Sequence, residues 1–201
     1  MNQLHIRKAG RADRALLAEF LRGLSPNSVY QRFQAYLGPE PKPALVDAML
    51  PGGRHGGAVL GLVDQRPVAH GMWVRVGMAR VAEIAVVVAD TKQGQGIGTQ
   101  IAVSLIADLA SHGVQRVKVF TSANNNAVTR MVTRRAPDAV RERDGPTITY
   151  TFTALSTNRA ERNTASTVAA SAGDRARGWR RDSRTASATR RGGGRLDRRR
   201  R

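Results

Sequence analysis

Residues 93–99 read Gln-Gly-Gln-Gly-Ile-Gly-Thr, with three glycines in five positions between two apolar runs. Backbone this free of side chains lets successive N–H groups turn inward. A following helix adds unpaired N–H groups and the positive end of its dipole, so the stretch is an anion site suited to phosphate. A Walker loop closes on Gly-Lys-Ser/Thr, whereas Gly98 is followed directly by Thr99. A dinucleotide fold requires G-x-G-x-x-G and an acid about twenty residues later. Gly94, Gly96 and Gly98 give G-x-G-x-G instead, and the following RVKVFT segment holds no acid. Gln93, Gly96 and Gly98 satisfy a further pattern, Q-x-x-G-x-G, with a plain glycine turn as the alternative. Upstream, Glu83 is the one charge in VAEIAVVVA. A carboxylate in an apolar strand costs free energy unless it is solvated or used.

The elements that must hold these residues are legible from periodicity. QLHIRKA alternates as a first strand, and RALLAEFLRGL after Asp13 has helical spacing. Ser25 and Pro26 mark the cap and first turn of a second helix, with Val29, Tyr30 and Phe33 expected as its buried stripe. A short helix is expected around Ala44–Leu50. GAVLGLV, DQR and PVAHGMWVRV read as a hairpin, and ARVAEIAVVVAD as a central strand covered on both faces. Thr99 to His112 forms an amphipathic helix ended by Gly113. RVKVFT is another strand, NNAVTRMVTRR a last helix and TITYTFTAL a last strand. The layout is mixed α/β, with a single strand–glycine loop–helix crossover near its middle.

Composition divides the chain. Residues 1–153 can build one core, but from Leu155 onward only Leu155, Val168 and Leu196 belong to the Leu/Ile/Val/Phe set. Residues 154–201 therefore cannot offset the entropy of ordering, and a disordered Arg-rich tail is expected there. That tail carries +10 of the net charge of +18. Its composition equally fits an out-of-frame reading of GC-rich DNA. The absence of cysteine excludes disulfides, thiolate nucleophiles and Cys-ligated zinc. His5, His55, His70 and His112 are scattered without metal-ligand spacing and read as surface or packed residues, with no metal expected. With no apolar leader and no run of membrane-spanning length, a soluble cytoplasmic protein is expected.

QGQGIGT resembles the acyl-CoA-binding loop of the GNAT acetyltransferases. LRGLSPNSVYQRF, AEIAVVVAD and NNAVTRMVTRRA extend that resemblance to the acetyltransferase modules of bacterial Pat-type protein lysine acetyltransferases, over about residues 3–153. The resemblance implies an α/β GNAT fold: a mixed, twisted sheet of about six to seven strands flanked by helices. Its central strand would carry a bulge and splay from the next strand, opening an acyl-CoA groove. It implies acetyl-CoA as co-substrate and an amine, a small molecule or a protein lysine, as acceptor. The backbone of Val86 and Val88 would pair with the pantetheine amides. Gln93, Gly94, Gln95, Gly96, Ile97, Gly98 and Thr99 would cradle the pyrophosphate through main-chain N–H groups. Asn125 matches an asparagine facing the CoA arm. Arg134 stands where relatives carry a basic residue near the nucleotide, although a cation ending a helix is favoured there anyway. Glu83 matches the glutamate assigned as general base, and desolvation would raise its pKa toward a useful value. A solvated strand-end glutamate is the alternative. Two departures stand out: Met131 and Val132 occupy the region where many GNAT enzymes place a tyrosine, and Ala136–Pro137 replaces a Gly-aromatic pair.

Two readings of other classes compete: an acyl-CoA-binding regulator without turnover, and accessory nucleic-acid binding confined to the basic tail. A chain ending at Ala154 is expected to fold, bind acetyl-CoA and keep most of its activity. It should lose any salt-sensitive affinity for DNA or RNA. Circular dichroism, calorimetry and filter binding on full and shortened chains check this. Unfolding of the shortened chain would show that the tail belongs to the core.

Overall fold

A computed structural model describes residues 3–154; the tail lies outside the described residues. Strand β1 (His5–Ala9) leads through a 3-10 turn (Arg11–Asp13) into α1 (Arg14–Arg22), α2 (Pro26–Phe33) and α3 (Pro43–Ala48). The hairpin β2 (Gly56–Val63) and β3 (Arg66–Arg75) follows, then β4 (Val81–Val88) and α4 (Ile97–Ser111). The fold closes with β5 (Arg116–Ser122), α5 (Asn126–Arg135), β6 (Val140–Asp144) and β7 (Thr147–Thr153). These strands form one seven-stranded mixed sheet in the order β1-β2-β3-β4-β5-β7-β6. Only β4–β5 is parallel, as the crossover through α4 requires.

Each face has its own core. On one, Ile101, Leu105 and Leu109 of α4 are fully buried against Ala69, Trp73, Ala82 and Val117 of the sheet. The indole N–H of Trp73 donates to Asp108 Oδ2 at 2.7 Å, tying β3 to α4. Gly71 permits the close approach, since a Cβ there would stand 2.8 Å from Leu105 Cδ1 and collide with Ile101. On the other face, Leu17, Phe20 and Leu21 of α1, Val46 of α3 and Met49 just after it cover Leu60, Leu62 and Val87.

Three sequence expectations are corrected. The expected stripe of α2 is only partly buried: Val29 and Phe33 pack against the α1–α3 core, while Tyr30 is exposed and its ring lies 5.1 Å from that of Tyr36. The buried residue of α2 is Ser28. The bulge expected in the central strand is absent from β3–β4, whose register runs unbroken from Ala69↔Val88 to Arg75↔Ala82. The register shift lies instead between Gly61 and Leu62, opposite Pro67, which has no N–H to give a ladder. Strand β6, not singled out by periodicity, forms a hairpin with β7 around Gly145 at φ +53°. All five of its residues are exposed, so it shows no apolar alternation, although the glycine opening its two-residue Gly145–Pro146 loop is a hairpin signal. Despite Ala136–Pro137, β7 pairs with β5 along all seven residues, from Arg116↔Thr153 to Ser122↔Thr147.

His70 is wholly buried beneath α3. Its Nε2–H donates to Met49 O at 2.9 Å and its Nδ1 has no partner. Burial lowers its pKa from 6.5 to about 4, helped by the Arg32 charge and opposed by the bond to Met49. An unfolded histidine takes its proton near 6.5, the folded one only near 4. Between these values the unfolded chain binds more protons, so stability is lost as pH falls through that window. The loss is on the order of 3 kcal/mol. The carboxyls of Asp13, Asp90 and Asp108 titrate below 3.8 and act at lower pH. Urea denaturation at stepped pH should show this slope in the wild type and a flatter profile in His70→Gln.

Candidate active site

The β4–β5 ladder has only three rungs: Val81↔Arg116, Ala82↔Val117 and Glu83↔Lys118. Beyond Glu83 the strands part. β4 continues on β3 to Val88 while β5 continues on β7 to Ser122. Peptide groups alternate sides along a strand. The Ala89 N–H bonds back to Val68 O, so the peptide groups of Val86 and Val88 point the other way, into the opening.

At the end of β4 the chain makes a 3-10 turn (Asp90–Lys92) and enters the glycine loop. Gly94 and Gly96 have φ of +75° and +79°, a left-handed backbone that side chains disfavour. Gly96 is the N-cap of α4, which begins two residues earlier than expected. The first intrahelical bond runs from Gln100 N to Gly96 O. The N–H groups of Ile97, Gly98 and Thr99 therefore have no acceptor within the helix.

A cavity of about 660 Å³ occupies this opening, within the size range of small-molecule sites. Its lining includes Val86, Val88, Gln93, Gly94, Gly96, Ile97, Gly98, Thr99, Asn125 and Arg134, so the structure brings ten of the sequence-singled residues to one wall system. Gln95 is outside it; its side-chain amide donates to Thr91 O at 3.3 Å. Asn125 caps α5, its Oδ1 accepting from Val128 N at 3.2 Å. Met131 lines the cavity and no tyrosine does; the Tyr150 hydroxyl is bonded to Thr129 Oγ1 instead. Arg32, Lys92, Arg130, Arg134 and Arg135 line it without a carboxylate, so its field favours an anion.

Glu83 is outside this lining. Directly paired residues share a face, so Glu83 projects with Lys118 and Val74 from the α1–α3 side, at the rung where the strands separate. It is exposed. Helix α2 lies over the same face, against β4 and β5, yet leaves Glu83 open to solvent.

Sequence reasoning missed α2 as a wall. Asn27, Ser28, Gln31 and Arg32 line the cavity. A polar cluster holds α2 there. Asp90 accepts from Ser25 N at 3.0 Å, Ser25 Oγ at 2.6 Å and Ser28 Oγ at 2.8 Å. Burial pushes the Asp90 carboxyl up, but these bonds outweigh it and its pKa lies below the ordinary value. The Gln93 side-chain amide donates to Ser28 Oγ at 2.9 Å and Val88 O at 3.1 Å. The adjacent polar residues Asn27-Ser28 and Gln31-Arg32, one turn apart, were the available signal.

Among the described residues, no helix is long and apolar enough to cross a membrane, and no group of three or more His, Cys, Asp or Glu side chains is placed to hold a metal. No match was found among the curated proteins. Among solved structures, the chain is similar to the GNAT domain of S. lividans PAT, with a TM-score of 0.69 and 19% identity over 75% of this chain and 90% of that one. It is also similar to the PaiA N-acetyltransferase of Thermoplasma acidophilum in complex with coenzyme A, with a TM-score of 0.59 and 12% identity over 75% and 99%. A cAMP-binding acyltransferase from Mycobacterium smegmatis aligns with a TM-score of 0.51 and 23% identity, over 75% of this chain but 43% of that one. The profile of the acetyltransferase (GNAT) family matches residues 26–136, from the first turn of α2 to the end of α5. That stretch contains the parted strands, the glycine loop and the three helices α2, α4 and α5 that line the cavity, and the chain belongs to the GNAT acetyltransferases, which carry out acyl-CoA-dependent acyl transfer.

Proposed function

We propose that this protein transfers the acetyl group of acetyl-CoA to a primary amine by direct attack, with Glu83 as general base. The observation that carries the reading is the end of the β4–β5 ladder at Glu83↔Lys118. It leaves a cavity whose walls run from the inward peptide groups of Val86 and Val88 to the free amides of Ile97, Gly98 and Thr99. An extended pantetheine arm with two amides suits the first, and a pyrophosphate suits the second. Lys92, Arg130 and Arg134 supply positive charge for the nucleotide end.

The acceptor must lose a proton. An alkyl ammonium with a pKa of about 10.4 has no lone pair at neutral pH. In this reading Glu83, directly or through water, takes that proton as the nitrogen attacks the thioester carbon. The carbon–sulfur bond then breaks and CoA leaves as a thiolate. With a thiol pKa of about 8.5, the leaving group has little need of a general acid. The exposure of Glu83 keeps its carboxylate available to solvent and to an incoming amine.

Two experiments test the two halves. Gly98 has helical backbone, and a Cβ there would meet only Val88 Cγ2, at 3.5 Å. Gly98→Asp is thus expected to fold, with its charge in the favourable first turn of α4, yet to lose acetyl-CoA binding because a side chain and a like charge enter the pyrophosphate site. Calorimetric titration checks this, and unchanged affinity would remove the donor site. For the base, Glu83→Gln should leave acetyl-CoA affinity nearly unchanged and lower turnover by about 10² to 10⁴. The deficit should shrink as pH rises toward the amine's own pKa, in a rate profile from about pH 6 to 10. Wild-type turnover in the mutant would return Glu83 to a solvated strand residue. Acetyl-CoA binding with no turnover on any amine would favour the regulator instead.

A further inference from the structure

Among the described residues, three buried side-chain polar atoms have no hydrogen-bond partner: Gln31 Oε1, Arg32 Nε and His70 Nδ1. Two of them belong to adjacent residues of α2, and both residues line the cavity. The hydrogen bond the structure gives the Arg32 guanidinium goes to the Met72 thioether, at 3.2 Å, a weak acceptor for a cation. Its group also lies over the Phe33 ring, 4.8 Å from the centroid. Among the described residues it forms no ion pair; Glu83 acts on it through charge, without contact within 4.0 Å. Burial lowers its pKa to about 10, opposed by Glu83, so it remains a cation at neutral pH. A shielded guanidinium without an anion is costly, and an anion bound beside it would lower that cost.

We propose that Gln31 and Arg32 form the acceptor subsite, and that the acceptor is a small molecule bearing both an amine and a carboxylate, of the amino-acid type. This rests on the amine-acetyltransferase reading above. The two orphan atoms have opposite demands. Arg32 Nε–H requires an anionic acceptor, and Gln31 Oε1 requires a donor such as an amine N–H. One zwitterion supplies both. The charges around the site agree. Arg32 and Lys118 flank the single carboxylate of Glu83, leaving a net positive environment. A polyamine is repelled there, whereas a carboxylate next to the reacting amine is drawn in.

The test uses the full chain saturated with CoA, titrated calorimetrically with free L-amino acids and with their C-terminal amides, which keep the amine but lack the anion. Thiol release from acetyl-CoA is measured with the same panel. The acids should bind about tenfold or more tighter than the amides, the effect expected of a hydrogen bond to a charged group. Arg32→Gln should erase that difference while retaining acetyl-CoA affinity, and Arg32→Lys should keep part of it. Equal binding of acids and amides by the wild type, or no binding of either, overturns the proposal whatever the variants do. So does a preference that survives Arg32→Gln. A tenfold loss of acetyl-CoA affinity in Arg32→Gln with the preference intact also overturns it, assigning Arg32 to the acyl donor. Carboxylate-selective binding without thiol release would sink the transferase reading and leave the subsite standing. Thiol release without carboxylate selectivity would do the reverse.

Discussion

A sheet that stops pairing at its own centre makes demands on everything around it. After Glu83↔Lys118, β4 and β5 each keep a partner on their far side and none between them. Backbone N–H and C=O groups left in such a gap must find other partners. In this fold the gap is the site: the unpaired edge of β4 is a template for an extended ligand carrying amides. Parting also places the end of β4 beside the first turn of α4, so amide edge and anion cradle line one cavity.

Parted strands need rigid walls. On one face α4 supplies them, lying on β3 so closely that Gly71 has no room for a side chain. On the other, α2 is held by polar contacts as well as by Val29 and Phe33 against the α1–α3 core. Asp90, at the foot of the glycine loop, binds the cap of α2 through both serines, and Gln93 closes the circuit to Val88. Hydrogen bonds to a charged acceptor contribute about 1.5–3 kcal/mol each, more than neutral ones. The same cluster couples the loop's position to α2.

The two sides of the sheet carry different electrostatics. The cavity is lined by cations without a carboxylate. Glu83 lies on the opposite side of its strand from Val86 and Val88, at the rung where the strands part and next to Lys118.

What the sequence determined by itself was whatever depends on near neighbours. The 3.6-residue stripe of α4, the alternation of β7, the Ser25–Pro26 cap and the strand–glycine loop–helix order all follow from short-range spacing, and the GNAT resemblance implied the ten residues that line the cavity. The tertiary structure decided the rest. Strand β6 has no buried face, so no pattern marked it, and it exists because β7 offers it an edge. Of the Val29, Tyr30 and Phe33 stripe only Val29 and Phe33 reach the core, because the packed face of α2 answers also to Asp90, 65 and 62 residues away. The surroundings of Glu83 and Arg32 likewise depend on where α2 comes to lie against β4 and β5. Burial is a property of the assembled layers, and a lone charge in a strand reads the same whether it faces water or a core.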